Sequence, residues 1–262
     1  MNPNLSASPR AAKPTFSPTK IVTFLQCSTL YRYIYVDHIG RFYQRPKAYF
    51  SFGATLHTVL QAFHAEGARA TPEEMIQQYQ QSWQSAGYAS AEEETQYQIE
   101  GMAALATYHD AVQQRLHTGV QTLLIEKFIQ SDMGSFILNG RVDRVDRWPD
   151  GSLEIVDYKS GRLSVSQEDV ANDLAMGIYQ LIIKRLYPDT PVRATIYCLR
   201  SGQSATAELA STELEACEKD VRTIVQDIMA THFNSLKPQL LPICEECDFR
   251  TRCERYWKQK KQ

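Results

Sequence analysis

Asp143 and the run Asp157-Tyr158-Lys159 hold the residue types that gather a hard cation beside an ammonium group. Both lie in the segment from Gly140 to Gly161, which reads GRVDRVDRWPDGSLEIVDYKSG. Apolar-alternating runs from Phe136 to Val145 and from Ser152 to Tyr158 flank Trp148-Pro149-Asp150-Gly151, whose Pro and Gly form turns, so an antiparallel hairpin is predicted. Side chains alternate along a strand, which puts Asp157 and Lys159 on one face and turns Tyr158 away. Carboxylate and carbonyl oxygens suit Mg²⁺ or Mn²⁺, ions that keep waters for chemistry. Lys159 is then placed to orient an attacking water, help to deprotonate it, or offset charge building on a phosphate. A solvated surface hairpin with ion pairs accounts for the same spacing, but the apolar run Leu153-Glu154-Ile155-Val156 is how a core strand presents a site at its end.

A second constellation closes the chain. Cys244, Cys247 and Cys253 form a C-x2-C-x5-C loop, one thiol short of a complete soft-metal site, and Cys27 is the best-placed fourth ligand. Four thiolates hold either a [4Fe-4S] cluster or a tetrahedral zinc ion, and spacing alone does not separate the two. Cys198 and Cys217 fall inside a predicted strand and helix and are assigned to packing.

The elements that must position these groups follow from periodicity. Residues 1–16 lack it and are expected to be a disordered tail. Ser17-Pro18-Thr19 opens a short helix ending near Cys27, and Tyr31, Tyr33 and Tyr35 follow as a packing face rather than a base-stacking one. From Ser51 a helix carries Leu56, Val59, Leu60 and Phe63 on its apolar side; His57 falls among them and by itself reads as a core histidine. Gly53 and Ala54 permit close backbone approach near that helix start. Helical patterns over 72–86 and 90–117 form an insertion spanning about 65–117, either a cover beside a substrate path or a packing layer. Strands begin near Val120, and Glu126 is either an accessory acid or an exposed strand residue. Beyond Gly161 a helix is expected over 170–186, a strand over 192–199 with a partner over 205–209, and a long helix over 212–233 with a capping box at Ser211-Thr212-Glu213-Leu214-Glu215.

A formal net charge of -2 excludes a wholly basic nucleic-acid coat but not a local basic groove. The terminal cations Arg250, Arg252, Arg255, Lys258, Lys260 and Lys261 offer such a track or simply a solvated end. No apolar run approaches the roughly 20 residues of a membrane span, and no apolar secretory core opens the chain, so a cytoplasmic location without membrane contact is expected.

Taken together, Cys27, Gly53-x-x-x-His57, Gly140-Arg141-Val142-Asp143-Arg144-Val145-Asp146, Asp157-Tyr158-Lys159-Ser160-Gly161 and the terminal CxxCDFRxxC resemble the RecB-like branch of the PD-(D/E)XK superfamily. That branch includes CRISPR-associated exonucleases and AddB nuclease domains. The resemblance covers nearly the whole chain beyond the tail. It implies an α/β fold with a restriction-endonuclease-like core: a central mixed sheet flanked by helices, a helical insertion and a C-terminal Cys-rich cluster loop. Residues 17–262 would then be a single nuclease domain whose iron-sulfur site joins Cys27 to 244–253.

The resemblance also implies a Mg²⁺- or Mn²⁺-dependent deoxyribonuclease, an exonuclease on single-stranded DNA or DNA ends. Asp143, Asp157 and Lys159 would be catalytic; His57, Asp143, Asp157 and the Tyr158 carbonyl would hold metal; Cys27, Cys244, Cys247 and Cys253 would hold [4Fe-4S], with Zn²⁺ as the alternative. Glu126 and Tyr179 are accessory candidates. One departure stands out: the family's Gln four residues before the helical Tyr is replaced by Ala175, and Gln180 lies on the wrong side of Tyr179. The rival reading is a catalytically weak or inactive DNA-binding or assembly subunit. No Walker-type Gly-rich loop ending in Gly-Lys-Ser/Thr is present, so unwinding falls to a helicase, CRISPR-adaptation or repair partner.

Overall fold

A computed structural model of the chain describes residues 12–161 and 163–259. Its strands are β1 (Thr15–Phe16), β2 (Gln121–Asp132), β3 (Ile137–Arg147), β4 (Leu153–Lys159), β5 (Val192–Cys198) and β6 (Ser204–Ala207). They form one mixed sheet in the order β1-β3-β4-β5-β6, with β2 also paired to β3. The predicted hairpin is present: β3 and β4 run antiparallel across a turn in which Gly151 takes φ 84 and donates its N–H to the Trp148 carbonyl. Every residue of β4 from Leu153 to Tyr158 is buried, as its near-continuous apolar run implies for a strand covered on both faces.

The helices are α1 (Pro18–Gln26), α2 (Ser28–Tyr31), α3 (Gly40–Tyr43), α4 (Ala48–Ala65), α5 (Pro72–Gln81), α6 (Ala91–Leu116), α7 (Gln167–Ala171), α8 (Leu174–Leu186), α9 (Ser211–Ala230) and α10 (Arg250–Gln259). A π-helical turn, Arg32–Val36, follows α2. Alternation along β4 sorts the two layers. Ile155 faces the core built with Ile21 of α1, Ile178 and Ile182 of α8, and Val221 and Val225 of α9. Val156 and Tyr158 face Leu56 and Leu60 of α4, Tyr79 of α5, and Leu105 and Tyr108 of α6. Each such fully buried side chain contributes about 1.5–3 kcal/mol. α5 and α6 of the expected insertion thus bury their apolar faces in this layer. A capping box at Thr71-Glu74 starts α5, and Ser90 caps α6 above Glu92, Glu93 and Glu94.

Several boundaries differ from the sequence reading. The expected tail is ordered from residue 12: Thr15 and Phe16 pair in parallel with Ile137 and Leu138, and Lys13 meets Asp132 at 2.7 Å. An exposed strand edge and a carboxylate recruit these residues despite their lack of periodicity. The rest of that expectation, residues 1–11, lies outside the described residues, as do Lys260 and Lys261 of the basic end. The helix over 170–186 is two helices, because Asp173 accepts from the Ala175 and Met176 N–H groups and starts α8 afresh. Ala210 sits at the N-cap of α9, so only the Glu213 half of the expected box forms, its carboxylate accepting from the Ala210 N–H. The helix bearing His57 begins at Ala48, ahead of Ser51.

Candidate active site

The site lies where β3 and β4 part. Their register runs from Arg147↔Leu153 to Arg144↔Val156 and stops there. The next N–H on β4, that of Tyr158, donates to the Asp143 side chain (Oδ2, 2.8 Å) instead of to a β3 carbonyl. Asp143 thus stands in the fork between the strands. Because the N–H and C=O of one strand residue point to the same edge, the Tyr158 carbonyl also faces this gap.

On the other edge of β3, register places Glu126 opposite Asp143, between the pairs Ile125↔Arg144 and Lys127↔Val142. Directly opposed residues of an antiparallel pair share a face. Glu126 adopts φ 47, a left-handed conformation that costs about 1–3 kcal/mol for such a residue. Arg141 holds it there, its Nε 2.8 Å from Glu126 Oε2 and donating to the Glu126 carbonyl at 3.1 Å. From α4, His57 Nδ1 comes within 3.3 Å of Glu126 Oε1 and 3.5 Å of Asp143 Oδ1. His57, Glu126 and Asp143 each offer a ligand atom within 4.8 Å of the others.

Asp157 and Lys159 share a face of β4, as alternation required, and their Oδ2 and Nζ lie 2.6 Å apart. The contact is an ion pair without hydrogen-bond alignment: Asp157 Oδ2 is buried and has no aligned donor. Burial pushes the Asp157 carboxyl up to about 6, Lys159 opposes this, and Asp143 adds to it. Burial lowers Lys159, but Asp157 outweighs it and the net direction is upward, so the amine stays an ammonium. His57 is likewise depressed by burial, yet hydrogen bonds to Asp143 and Glu126 raise it to about 10. Two residue pairs bring the helices this close. A Cβ on Gly53 would fall 2.9 Å from Ser160 Oγ, and one on Gly140 would fall 2.5 Å from Tyr179 Cε1. Tyr179 reaches the rim from α8 and donates its hydroxyl to the Arg141 carbonyl at 3.0 Å.

A family model, that of the PD-(D/E)XK nuclease superfamily, matches residues 15–254. The chain belongs to this superfamily. The architecture of this PD-(D/E)XK member has a solved counterpart: a crystal structure of a protein from Eubacterium rectale, provisionally assigned as an exonuclease, superposes with a TM-score of 0.56 at 11% identity, covering 97% of this chain and 92% of that one. At that identity the likeness is one of fold. A 57-residue stretch is 47% identical to the B component of the ATP-dependent helicase/deoxyribonuclease of Streptococcus pyogenes serotype M49 (strain NZ131), and equally to that of serotype M1. The stretch is 21% of this chain and spans only 5% of the length of those curated relatives.

Behind the site of this superfamily member, Tyr158 turns away as predicted and anchors in a buried network. Its hydroxyl lies 2.6 Å from both Arg144 Nη1 and the Tyr108 hydroxyl, and Arg144 also donates to Tyr108 and to His64 Nε2 (2.7 Å). The core histidine of α4 is His64, not His57. Asp146 is absent from the site; it pairs with Arg144, Arg115 and Thr122. Sequence reasoning missed Arg141 and Asp173, the second of which adds charge near Asp157 and Lys159. Their signals were the neighbouring Asp143 and the break before α8. Ala175 packs half-buried against the core, while Gln180 is buried and accepts from the Leu209 N–H, so it does not substitute for the missing Gln.

The four predicted cysteines lie near enough to act on one another electrostatically, but no three of their sulfurs come within 4.8 Å of one another. Cys27 joins α1 to α2 and its sulfur accepts from the Leu30 N–H; Cys244 accepts from the Leu241 N–H. Burial raises the Cys247 and Cys253 thiols, the latter to about 11, and the other thiols of the group add to this. Hydrogen bonds from the Phe249 backbone to Cys247 and from Tyr33 to Cys253 pull in the opposite direction. Phe249 is buried and packs on Tyr33 and Tyr43, which fixes the loop. Cys198 is buried in the main core and Cys217 packs at its edge. Among the described residues, no helix is long and apolar enough to cross a membrane.

Proposed function

We propose that this chain is one nuclease domain whose sheet takes in β1 at Thr15–Phe16, hydrolysing phosphodiester bonds of DNA as a Mg²⁺- or Mn²⁺-dependent exonuclease on single strands or ends. The observation that carries the reading is the fork itself: imidazole, two carboxylates and a strand carbonyl converge where β3 and β4 part, with Asp157 and Lys159 alongside. This donor set of imidazole, carboxylates and a strand carbonyl fits a hard divalent cation, and Asp157, buried with Lys159 as its ion-pair partner, stands beside it. His57, Asp143, Asp157 and the Tyr158 carbonyl would hold the ion, with Glu126 as a further carboxylate or as the group orienting His57. When bound, the cation supplies Lewis-acid stabilisation of charge on the phosphate.

The chain's own residues do the rest. Lys159, paired with Asp157, is placed to orient a water and to offset negative charge on the phosphate. Arg141 holds Glu126 in its strained backbone, and Tyr179 holds the Arg141 backbone. The four cysteines, each accepting a hydrogen bond, are read as a [4Fe-4S] site tying α1 to the C-terminal loop, a structural staple rather than a reacting centre; burial and mutual proximity favour the Cys247 and Cys253 thiols over thiolates, so the positive charge of bound iron would have to offset that cost. The helicase/deoxyribonuclease relatives support a helicase as partner; a CRISPR-adaptation or repair setting rests on the resemblance alone.

The test is degradation of 5′- and 3′-labelled single strands with Mn²⁺. Asp157→Asn and Lys159→Met proteins that fold normally are expected to lose roughly 10²–10³-fold in rate. Undiminished activity removes these residues from the mechanism, and a parent protein that binds DNA without cutting it supports the non-catalytic role, the reading the Ala175 departure favours.

A further inference from the structure

The segment from Arg41 to Phe50, RFYQRPKAYF, carries three cations and four aromatics and no acid. It joins the cysteine loop to the helix bearing His57, and its rings are unequally used. Tyr43 stacks on buried Phe249, whereas Phe42 is 68% exposed, Phe50 65% and Tyr49 45%. Scattered exposed apolar residues mean little, but Tyr49 and Phe50 are exposed side by side, and Phe42 adds a third exposed ring in the same segment. The cations are interleaved with them: the Arg41 guanidinium lies 4.6 Å from the Phe42 ring centre, and Lys47 Nζ lies 5.8 Å from that of Tyr49, whose ring sits 4.5 Å from Phe50. Among the described residues Arg41, Arg45 and Lys47 form no ion pair; Lys47 donates only to the Glu246 carbonyl, so its charge is not cancelled.

The patch continues into the site. Phe50, Gly53, Ala54 and His57 fall at i, i+3, i+4 and i+7 on α4, one stripe of the helix. Phe50 is therefore roughly 10 Å along the axis from His57. Between them only the small Gly53 and Ala54 intervene, with Ser160 against Gly53. Beside Tyr49 and Phe50 opens a cleft of about 260 Å³, also lined by Lys47, Glu246 and Asp248. Glu246 and Asp248 would repel a phosphate inside the cleft and could accept from base amino groups, while Arg41 and Arg45 fall outside its lining and would attract the backbone.

We infer that Phe42, Tyr49 and Phe50, with Arg41, Arg45 and Lys47, form a stacking platform that grips a single DNA strand and feeds it along the Phe50–His57 stripe to the fork. This deepens the proposed nuclease reading and rests on it for the identity of the strand. Unpaired bases present the faces that exposed rings need, and a duplex hides them.

Binding of a fluorescent single-stranded oligonucleotide to the full chain in EDTA, where no cutting occurs, isolates the platform from catalysis. Phe50→Ala and Phe42→Ala are expected to weaken single-strand binding roughly 5- to 150-fold each, Phe50→Trp to retain it, and a duplex of equal length to be little affected. Removing the charges with Arg41→Gln, Arg45→Gln and Lys47→Gln together should flatten the dependence of log affinity on log salt by about 2. Parent-like single-strand affinity in the Phe42/Tyr49/Phe50→Ala triple variant overturns the inference, as does an equal loss for duplex. If the parent binds the strand through these rings but never cuts it with Mn²⁺, the platform stands and the nuclease reading falls.

Discussion

Arg144→Met removes a buried guanidinium that ties β3 to α4, α6 and β4 behind the fork. The side chain is 5% exposed, with Nε 3.0 Å from Asp146 and Nη1 donating to Tyr158, Tyr108 and His64. Breaking a buried ion pair by deleting one partner costs about 3–5 kcal/mol. Asp146 keeps Arg115 and Thr122, each at 3.1 Å, which places this case at the low end, near 3 kcal/mol. Tyr108 and Tyr158 still bond each other, but the Tyr158 oxygen and His64 lose a charged donor, adding about 1 kcal/mol. A loss near 4 kcal/mol corresponds to a fall in melting temperature of roughly 8–16 °C for a chain of this size. Circular dichroism melts of parent and variant read it directly. A double-mutant cycle with Tyr158→Phe should be non-additive by about 1 kcal/mol, because both changes remove the same hydrogen bond. A variant melting within about 3 °C of the parent would refute the claim that this guanidinium is the keystone of the layer.

Acid should weaken the fold through His64. Burial first, then Arg144 and Arg115, push its folded-state value down to about 2, against about 6.5 in the unfolded chain, so only the unfolded chain takes up the proton. Its stabilising contribution is therefore intact above about pH 6.5 and declines below it, by about 1.4 kcal/mol between pH 7.5 and 5.5. Urea midpoints at the two pH values should show this extra loss in the parent and not in His64→Gln; parallel curves count against it. On the proposed [4Fe-4S] assignment, Cys27→Ser should abolish the iron content and visible absorption of protein purified without oxygen and lower its melting temperature, since a ligand joining α1 to the C-terminal loop is removed. Full metal loading with zinc and no colour in the parent would reassign the cysteine site.

The strain at Glu126 has a structural consequence for the fork. An ordinary strand residue at that register position would sit flat beside Asp143, and the left-handed backbone re-aims its carboxylate towards His57. Arg141 holds it from β3 as His57 does from α4, so the Gly-Arg-x-Asp order on β3 supplies both an acid and a brace for the acid opposite it on β2. The glycine of that order is explained equally locally, since Tyr179 occupies the space of a Cβ at Gly140.

What the sequence determined by itself was what acts over a few residues. The turn at Trp148–Gly151, the shared face of Asp157 and Lys159, the retreat of Tyr158 to the other face, the cap at Thr71 and the spacing of the terminal thiols all follow from dihedral preference, strand period and side-chain reach. Tertiary structure decided the rest. Nothing local distinguishes His57 from His64, seven residues apart on α4; one faces the fork and the other a buried guanidinium because the helix packs across the sheet at one angle. Nothing local tells Asp143 from Asp146, or puts Glu126 in the site and Thr15 in a strand. Those outcomes depend on strand register and on which edge of β3 is left open, terms that arise only when segments far apart in the chain meet.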